Sequence, residues 1–335
     1  MKNQLGRRGF LGAMGGAAGL AAMSPSALLA QAQLDMATMN VGSAWYQYGV
    51  LLSQYMQREL PDGSVVNVRD FAGGDGNLRL IENDDRVQAA MTFSMNVAWA
   101  RRGMTDISEA TADNVTLLAG AMDQYYIGMM ALDSIGVDTL SEAIAQERGL
   151  HIATTPPGSS GDIGVSLLLR AHGIDEATLN SWGGSISRVS LQAASENMVT
   201  GRADVWVNML VAGHPRATEL AFGHPLRFIG LSDEAMANMT DLGLNAAELP
   251  AGAFEGHDAG VMLPGTSTIL IANQNLDEDY AYQMVKAITE NLDGIKSEMS
   301  SLGGWDMAAA ADTELAGGIP LHPGAERAFR EAGII

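Results

Sequence analysis

The chain has 335 residues, of which 47% are hydrophobic and 17% charged, the composition of a folded protein with room for two domains of ordinary size. Its formal net charge of −20, from 19 Lys+Arg against 39 Asp+Glu, excludes nucleic acid as a partner and disfavours docking on an anionic lipid surface, because both would repel it. The absence of cysteine excludes disulfides, thiolate metal sites, a cysteine nucleophile and a lipidated cysteine anchor.

The N-terminus reads as a targeting segment over residues 1–32. Lys2, Arg7 and Arg8 precede an apolar stretch from Phe10 to Leu29, and Ala30-Gln31-Ala32 is a small-x-small cleavage site, the layout of a secretory signal. Arg7-Arg8-Gly9-Phe10-Leu11 matches a twin-arginine export signal; an ordinary export signal that carries two arginines is the alternative. Ser24, Pro25 and Ser26 break the apolar run before it reaches the ~20 residues of a membrane span, so no membrane insertion is expected. An exported chain without an anchoring cysteine is expected in the periplasm.

Beyond residue 32 the patterning alternates strands and helices. Met36–Val41 reads as a strand. Ser43 to Leu60 reads as a helix with Tyr48, Leu52 and Tyr55 on one face, ended by Pro61-Asp62-Gly63. Strand Ser64–Val68, helix Asp75–Asn83, strand Val87–Phe93 and helix Ser94–Arg102 follow, which predicts an α/β sheet with parallel strands. A second run of the pattern holds strand Leu150–Thr154, helix Ser159–His172, helix Leu191–Thr200, and strands Ala203–Val207 and Leu226–Leu231. Two lobes are expected. Residues 33–128 and 271–335 form the first and 129–270 the second, joined by the extended apolar segments Tyr125–Leu132 and Gly260–Ala272. Helices from Asp277 onward should pack on the first lobe.

Three turns place glycine and small polar residues between a strand and a helix: Gly42-Ser43-Ala44-Trp45-Tyr46, Gly73-Gly74-Asp75-Gly76-Asn77, and Pro156-Pro157-Gly158-Ser159-Ser160-Gly161. A helix N-terminus carries unpaired N–H groups and partial positive charge, and glycine lets an anion approach that backbone. Any one such turn also suits a plain helix cap. Three of them, two from the first lobe and one from the second, point to a shared anion site at the carboxyl ends of the strands. Ser43, Asn77, Ser159 and Ser160 are candidate polar contacts, Arg69, Arg79 and Arg188 candidate cations, and Trp45, Tyr46 and Phe93 candidate stacking surfaces. No turn carries a phosphate-loop or dinucleotide signature, and no nucleophile elbow is present. The six histidines, His151, His172, His214, His224, His257 and His322, form no ligand pair at helix spacing. Gly213-His214-Pro215 and Gly223-His224-Pro225 read as turns. Neither metal nor cofactor is expected.

At these turns the sequence resembles the TAXI family of TRAP-transporter receptors, from about Ala37 to the C-terminus. Gly42 through Gly49 is similar to that family's first ligand loop. Gly73-Gly74-Asp75-Gly76-Asn77-Leu78 is similar to its Gly-Ser-x-x-Asn-Leu element, and Ser94-Met95-Asn96-Val97-Ala98-Trp99 to its Gln-Ser-Asp-Val-Ala-Tyr stretch. Pro157-Gly158-Ser159-Ser160-Gly161 resembles its Pro-Gly-Ser-Gly-Thr turn. Asp204, Gly213 and Pro215 fit the element after it. Ile319-Pro320-Leu321-His322-Pro323-Gly324-Ala325 is similar to its closing Ile-Pro-Phe-His-Pro-Gly-Ala, the most specific of these matches.

The resemblance implies a type II periplasmic-binding-protein fold, two α/β lobes joined by two crossing strands with the ligand cleft between them. It implies a monomeric, non-enzymatic receptor that closes around one small carboxylate, such as glutamate, 2-oxoglutarate or another dicarboxylate or keto acid, and delivers it to a membrane-embedded TRAP transporter subunit. The implied ligand set is Gly42, Ser43, Trp45, Tyr46, Asp75, Asn77, Phe93, Ser94, Asn96, Pro157, Gly158, Ser159, Ser160, Asn208 and Gly213. Asn96 stands where the family has an aspartate, which weakens recognition of an ammonium group and favours a non-amino acid. A receptor for an ABC or tricarboxylate transporter, a periplasmic hydrolase or lyase, and a ligand-sensing partner of a signalling protein are the rival readings.

Overall fold

The computed structural model describes residues 30–41, 43–224 and 226–335. Residues 1–29 of the expected signal, Gly42 and Pro225 lie outside these. Strand β1 (Gln33–Ala37) pairs in parallel with β2 (Val65–Arg69), in a register that runs from Gln33↔Val65 to Ala37↔Arg69. It therefore starts and stops earlier than the Met36–Val41 expected. The strand ends where its partner does, and the Thr38 hydroxyl caps that end by donating to Arg69 O at 3.1 Å. The chain then turns into helix α1 (Ala44–Glu59) because the Ser43 Oγ accepts the Tyr46 N–H at 3.1 Å. Trp45, Tyr48, Leu52, Tyr55 and Met56 recur on one face of α1, and all are buried.

Helix α2 (Gly74–Asn83), strand β3 (Ala89–Phe93) and helix α3 (Ser94–Arg101) follow within a residue or two of expectation. Next come β4 (Val115–Ala119), β5 (Gln124–Leu132), helix α4 (Leu140–Ala145), β6 (His151–Thr154), helix α5 (Ser160–Ala171), β7 (Ser185–Arg188), β8 (Val205–Leu210), β9 (Leu226–Phe228), β10 (Asn245–Leu249) and β11 (Val261–Asn273). The strands join in the order β2-β1-β3-β11-β5-β8-β6-β7, with β4 and β10 also on β11 and β9 on β5. The expected parallel sheet is present only towards its two ends. There β1 runs parallel to β2 and β3, and β6 parallel to β7 and β8. The middle is antiparallel, because β5 and β11 run against every strand they touch.

The thirteen-residue β11 spans both ends of this arrangement. Val261–Gly265 pairs with β10, Gly265–Ser267 with β5, and Thr268–Ala272 with β3. β5 does the same in miniature, giving Gln124–Tyr126 to β11 and Tyr126–Ala131 to β8. Apolar side chains separate into cores on either side. One gathers Ile127, Met130, Leu168, Trp206 and Leu263. Another gathers Leu52, Met56, Met91 and Leu270 with Met284, Ile288 and Phe329 from the C-terminal helices Glu278–Glu290 and Pro323–Glu331.

The closing His322-Pro323-Gly324 has a packing role. His322 is buried, and its ring accepts the Gly324 N–H at 3.2 Å while Nε2 donates to Leu276 O at 3.0 Å. Pro323 opens the last helix without needing its missing N–H. A Cβ on Gly324 would lie 2.1 Å from Glu278 O, so only glycine lets this helix lie directly on Glu278–Glu290.

Candidate functional site

Four helices begin at one cleft of about 640 Å³. α1 brings Ser43 and Trp45, α2 brings Gly73 to Gly76, α3 brings Met95 and Asn96, and α5 brings Gly158 to Ser160. Each follows a strand whose carboxyl end faces the same space, so the partial positive ends of the helices converge there.

The starts of the helices differ in how their N–H groups are satisfied. Ser43 caps α1. Ser159 caps α5 by accepting the Asp162 N–H, and its Oγ also lies 2.6 Å from the Thr155 hydroxyl. Asp162 in turn accepts the Gly158 N–H at 2.9 Å and is held by Arg188 at 2.6 Å. α2 has no side-chain cap. Gly73 and Gly74 hold φ of 75° and 48°, backbone that costs a side-chain-bearing residue strain. The missing Cβ at Gly74 leaves the space in front of α2 open up to the Asn96 amide, 3.6 Å from where that carbon would stand.

One wall is aromatic. Phe93 stacks edge-on against Trp45, centroids 4.7 Å apart, and against Tyr125 at 5.0 Å. Trp45 is held from behind, where Nε1 donates to Thr268 Oγ1 at 2.8 Å. Thr268 also ties this wall to the half-buried Asp123, whose carboxylate accepts from the Thr268 N–H at 3.1 Å and from Tyr48 OH at 3.0 Å. Burial pushes the Asp123 carboxyl above the usual carboxylate range. The Tyr125 phenol is pushed up as well, first by burial and then by the nearby Asp123 charge. Met95, Trp99, Ile107, Ile163 and Met209 continue the apolar lining.

Of the expected ligand set, Ser43, Trp45, Asp75, Phe93, Asn96, Gly158, Ser159 and Ser160 line the cleft. Gly42 lies outside the described residues. Tyr46, Pro157 and Gly213 are not on the lining, and Pro157 and Gly213 are exposed. Ser94, Asn77 and Asn208 are buried off it. The Ser94 hydroxyl bonds Thr266 Oγ1 at 3.0 Å and ties α3 to β11. Asn77 is fully buried. Its amide donates to Thr38 O and Met91 O, each at 2.8 Å, and accepts the Gly73 N–H at 3.1 Å. It is a clamp that sets the position of the α2 turn.

None of the three candidate arginines lines the cleft. Arg69 pairs with Asp35, Arg79 with Asp75 and Glu109, and Arg188 with Asp162 and Glu176. Tyr125, Met95, Trp99, Ile107, Ile163 and Met209 were not in the expected set. Tyr125 opens a segment read only as a joining strand, and nothing in its spacing marks the face it presents. Among the described residues no group of three or more His, Asp or Glu could hold a metal ion, and no helix is long and apolar enough to cross a membrane.

Two solved structures share this architecture at low identity. A TctC solute-binding protein from Polaromonas aligns with a TM-score of 0.53 and 12% identity, over 93% of this chain and 98% of that one. XAC2383 from Xanthomonas citri aligns with a TM-score of 0.53 and 11% identity, over 90% of this chain and 96% of that one. The fold is the periplasmic-binding-protein fold with two α/β lobes. Residues 36–333 match the model of the NMT1-like family, and the chain belongs to that family.

Proposed function

We propose that the protein is an exported periplasmic receptor that closes its two lobes around one small organic carboxylate and presents it to a membrane-embedded transport partner. The observation that carries this reading is the meeting of three helix starts built on glycine or serine, at Ser43, Gly73–Gly76 and Gly158–Ser160, on one cleft. Their N–H groups and helix dipoles suit a carboxylate. The uncapped start of α2 is the natural seat for it.

In this reading residues 1–32 are the export signal. Residues 33–128 with 271–335 make one lobe and 129–270 the other. The two turns of the first lobe take the ligand, and the α5 turn closes on it, a hinge movement driven by the ligand's tighter fit to the closed form. The receptor acts as a monomer, without metal or cofactor, and its transport partner is of the TRAP type served by TAXI receptors.

A thermal-shift screen of the purified chain against small carboxylates tests the reading. Ligand at about 100 times its dissociation constant should add roughly 2.7 kcal/mol of stability. The bound acid should be recovered chemically unchanged. Its conversion to a product would establish an enzyme instead, and the absence of a shift with every carboxylate would remove the proposed ligand class.

A further inference from the structure

We propose that the ligand is a monocarboxylate with an apolar body and a hydroxyl beside the carboxylate, and not a dicarboxylate or an amino acid; this rests on the receptor reading above. The cleft walls state the chemistry. Among the described lining residues none is Lys, Arg or His, and the one carboxylate is Asp75. A second carboxylate on the ligand would find no cation to meet it and would be repelled by Asp75, whereas a single one can use the uncapped N–H groups of α2. The body of the ligand would lie on Trp45, Phe93, Trp99, Tyr125, Ile163 and Met209, a surface that rewards apolar contact and penalises a polar group.

Asn96 supplies the remaining feature. It is 5% exposed, lines the cleft, and its Oδ1 is buried without a hydrogen-bond partner. A buried acceptor left unpaired is costly, and this one faces the space in front of Gly74, beside the start of α2. A donor on the carbon next to the ligand carboxylate would reach it. A hydroxyl suits a neutral amide. An ammonium would need a free counter-charge, and the Asp75 carboxylate is already engaged by the Ser108 hydroxyl and by Arg79 at 3.4 Å.

Titration calorimetry of the purified chain separates these chemistries. The probes are 2-hydroxy-4-methylpentanoate, 4-methylpentanoate, leucine, malate and 2-oxoglutarate. The hydroxy acid should bind at least about tenfold more tightly than each of the others, the scale of one buried hydrogen bond. Asn96→Leu should bring its affinity down to that of 4-methylpentanoate. Asn96→Asp, of the same shape, keeps the site testable should the leucine variant fail to fold. It sets a negative charge beside the carboxylate and should weaken the hydroxy acid by more than about tenfold. Tighter binding of malate or 2-oxoglutarate would overturn the single-carboxylate assignment while leaving the carboxylate receptor standing. Tighter binding of leucine, or unchanged hydroxy-acid affinity in either variant that folds, would overturn the role given to Asn96. No binding of any of these acids would overturn this inference alone; the receptor reading falls only if no carboxylate in the thermal-shift screen stabilises the chain.

Discussion

Asn77 offers a test of whether a residue beside the cleft is a ligand contact or a support. Its side chain is fully buried and makes three good hydrogen bonds, to Thr38 O, Met91 O and the Gly73 N–H. Asn77→Leu keeps the volume and removes all three. At a net worth of about 1 kcal/mol each, the variant should lose about 3 kcal/mol of stability, and more if the abandoned backbone groups stay dry. With an unfolding entropy of about 2.1 cal/mol/K per residue over roughly 300 residues, that lowers the melting temperature by about 5 °C. Calorimetric melting of parent and variant reads it directly. Ligand affinity should fall too, through loss of the α2 turn geometry, so Asn77→Asp is the informative companion. The aspartate keeps the acceptor for the Gly73 N–H but turns a negative oxygen toward two carbonyls, and it should also melt early. A melting temperature unchanged in Asn77→Leu, with binding abolished, would refute the clamp and return Asn77 to the ligand.

Other perturbations address separate parts of the molecule. Gly324→Ala would force a Cβ to 2.1 Å from Glu278 O and 2.6 Å from Tyr282 N. Backbone atoms cannot yield as a side-chain tip can, so a loss of about 3 kcal/mol is expected, and a melt within a degree of the parent would contradict the packing described. The raised Asp123 carboxyl means the folded state holds that proton more tightly than the unfolded one. Its stabilising contribution is therefore full below the ordinary aspartate value of about 4 and is lost as pH rises through the folded value. Asp123→Asn lacks that loss, so the melting temperature of the variant minus that of the parent should climb from pH 4 to pH 8; a flat difference would show the buried charge to be compensated. Ser159→Ala with Ser160→Ala removes the α5 cap, at a cost of about 1 kcal/mol. The double variant should weaken carboxylate binding about tenfold, and intact affinity would take the α5 turn out of the site.

Much of the fold is legible along the chain because its signals are local. Ser43, Ser159 and the α2 glycines mark helix starts by caps and backbone freedom, which depend on neighbours a few residues away. The apolar spacing of Tyr48, Leu52 and Tyr55 marks the buried face of α1 for the same reason. Val115–Ala119 is harder to read. All five of its residues are buried, so it shows no alternation to separate it from a piece of helix. The short β7 and β10 are also missed, and the direction of the middle strands is misjudged, because antiparallel pairing there follows from where the chain returns and not from any strand's own residues.

The candidate site divides along the same line. Residue types by themselves determined that this cysteine-free chain is strongly acidic, a charge that repels nucleic acid, and that three of its helices begin at turns able to receive an anion. They could not say which polar groups remain available. Asn77 and Ser94 have the right chemistry for a ligand, yet their hydrogen bonds are spent on Thr38, Met91, Gly73 and Thr266. The three arginines are spent on carboxylates away from the cleft. Asn96, a short distance from the same turn, is left with a buried acceptor and no partner. Side-chain identity is a property of the chain, but whether a donor or acceptor is free depends on what the folded structure brings within 3 Å of it, and that only the tertiary structure decided.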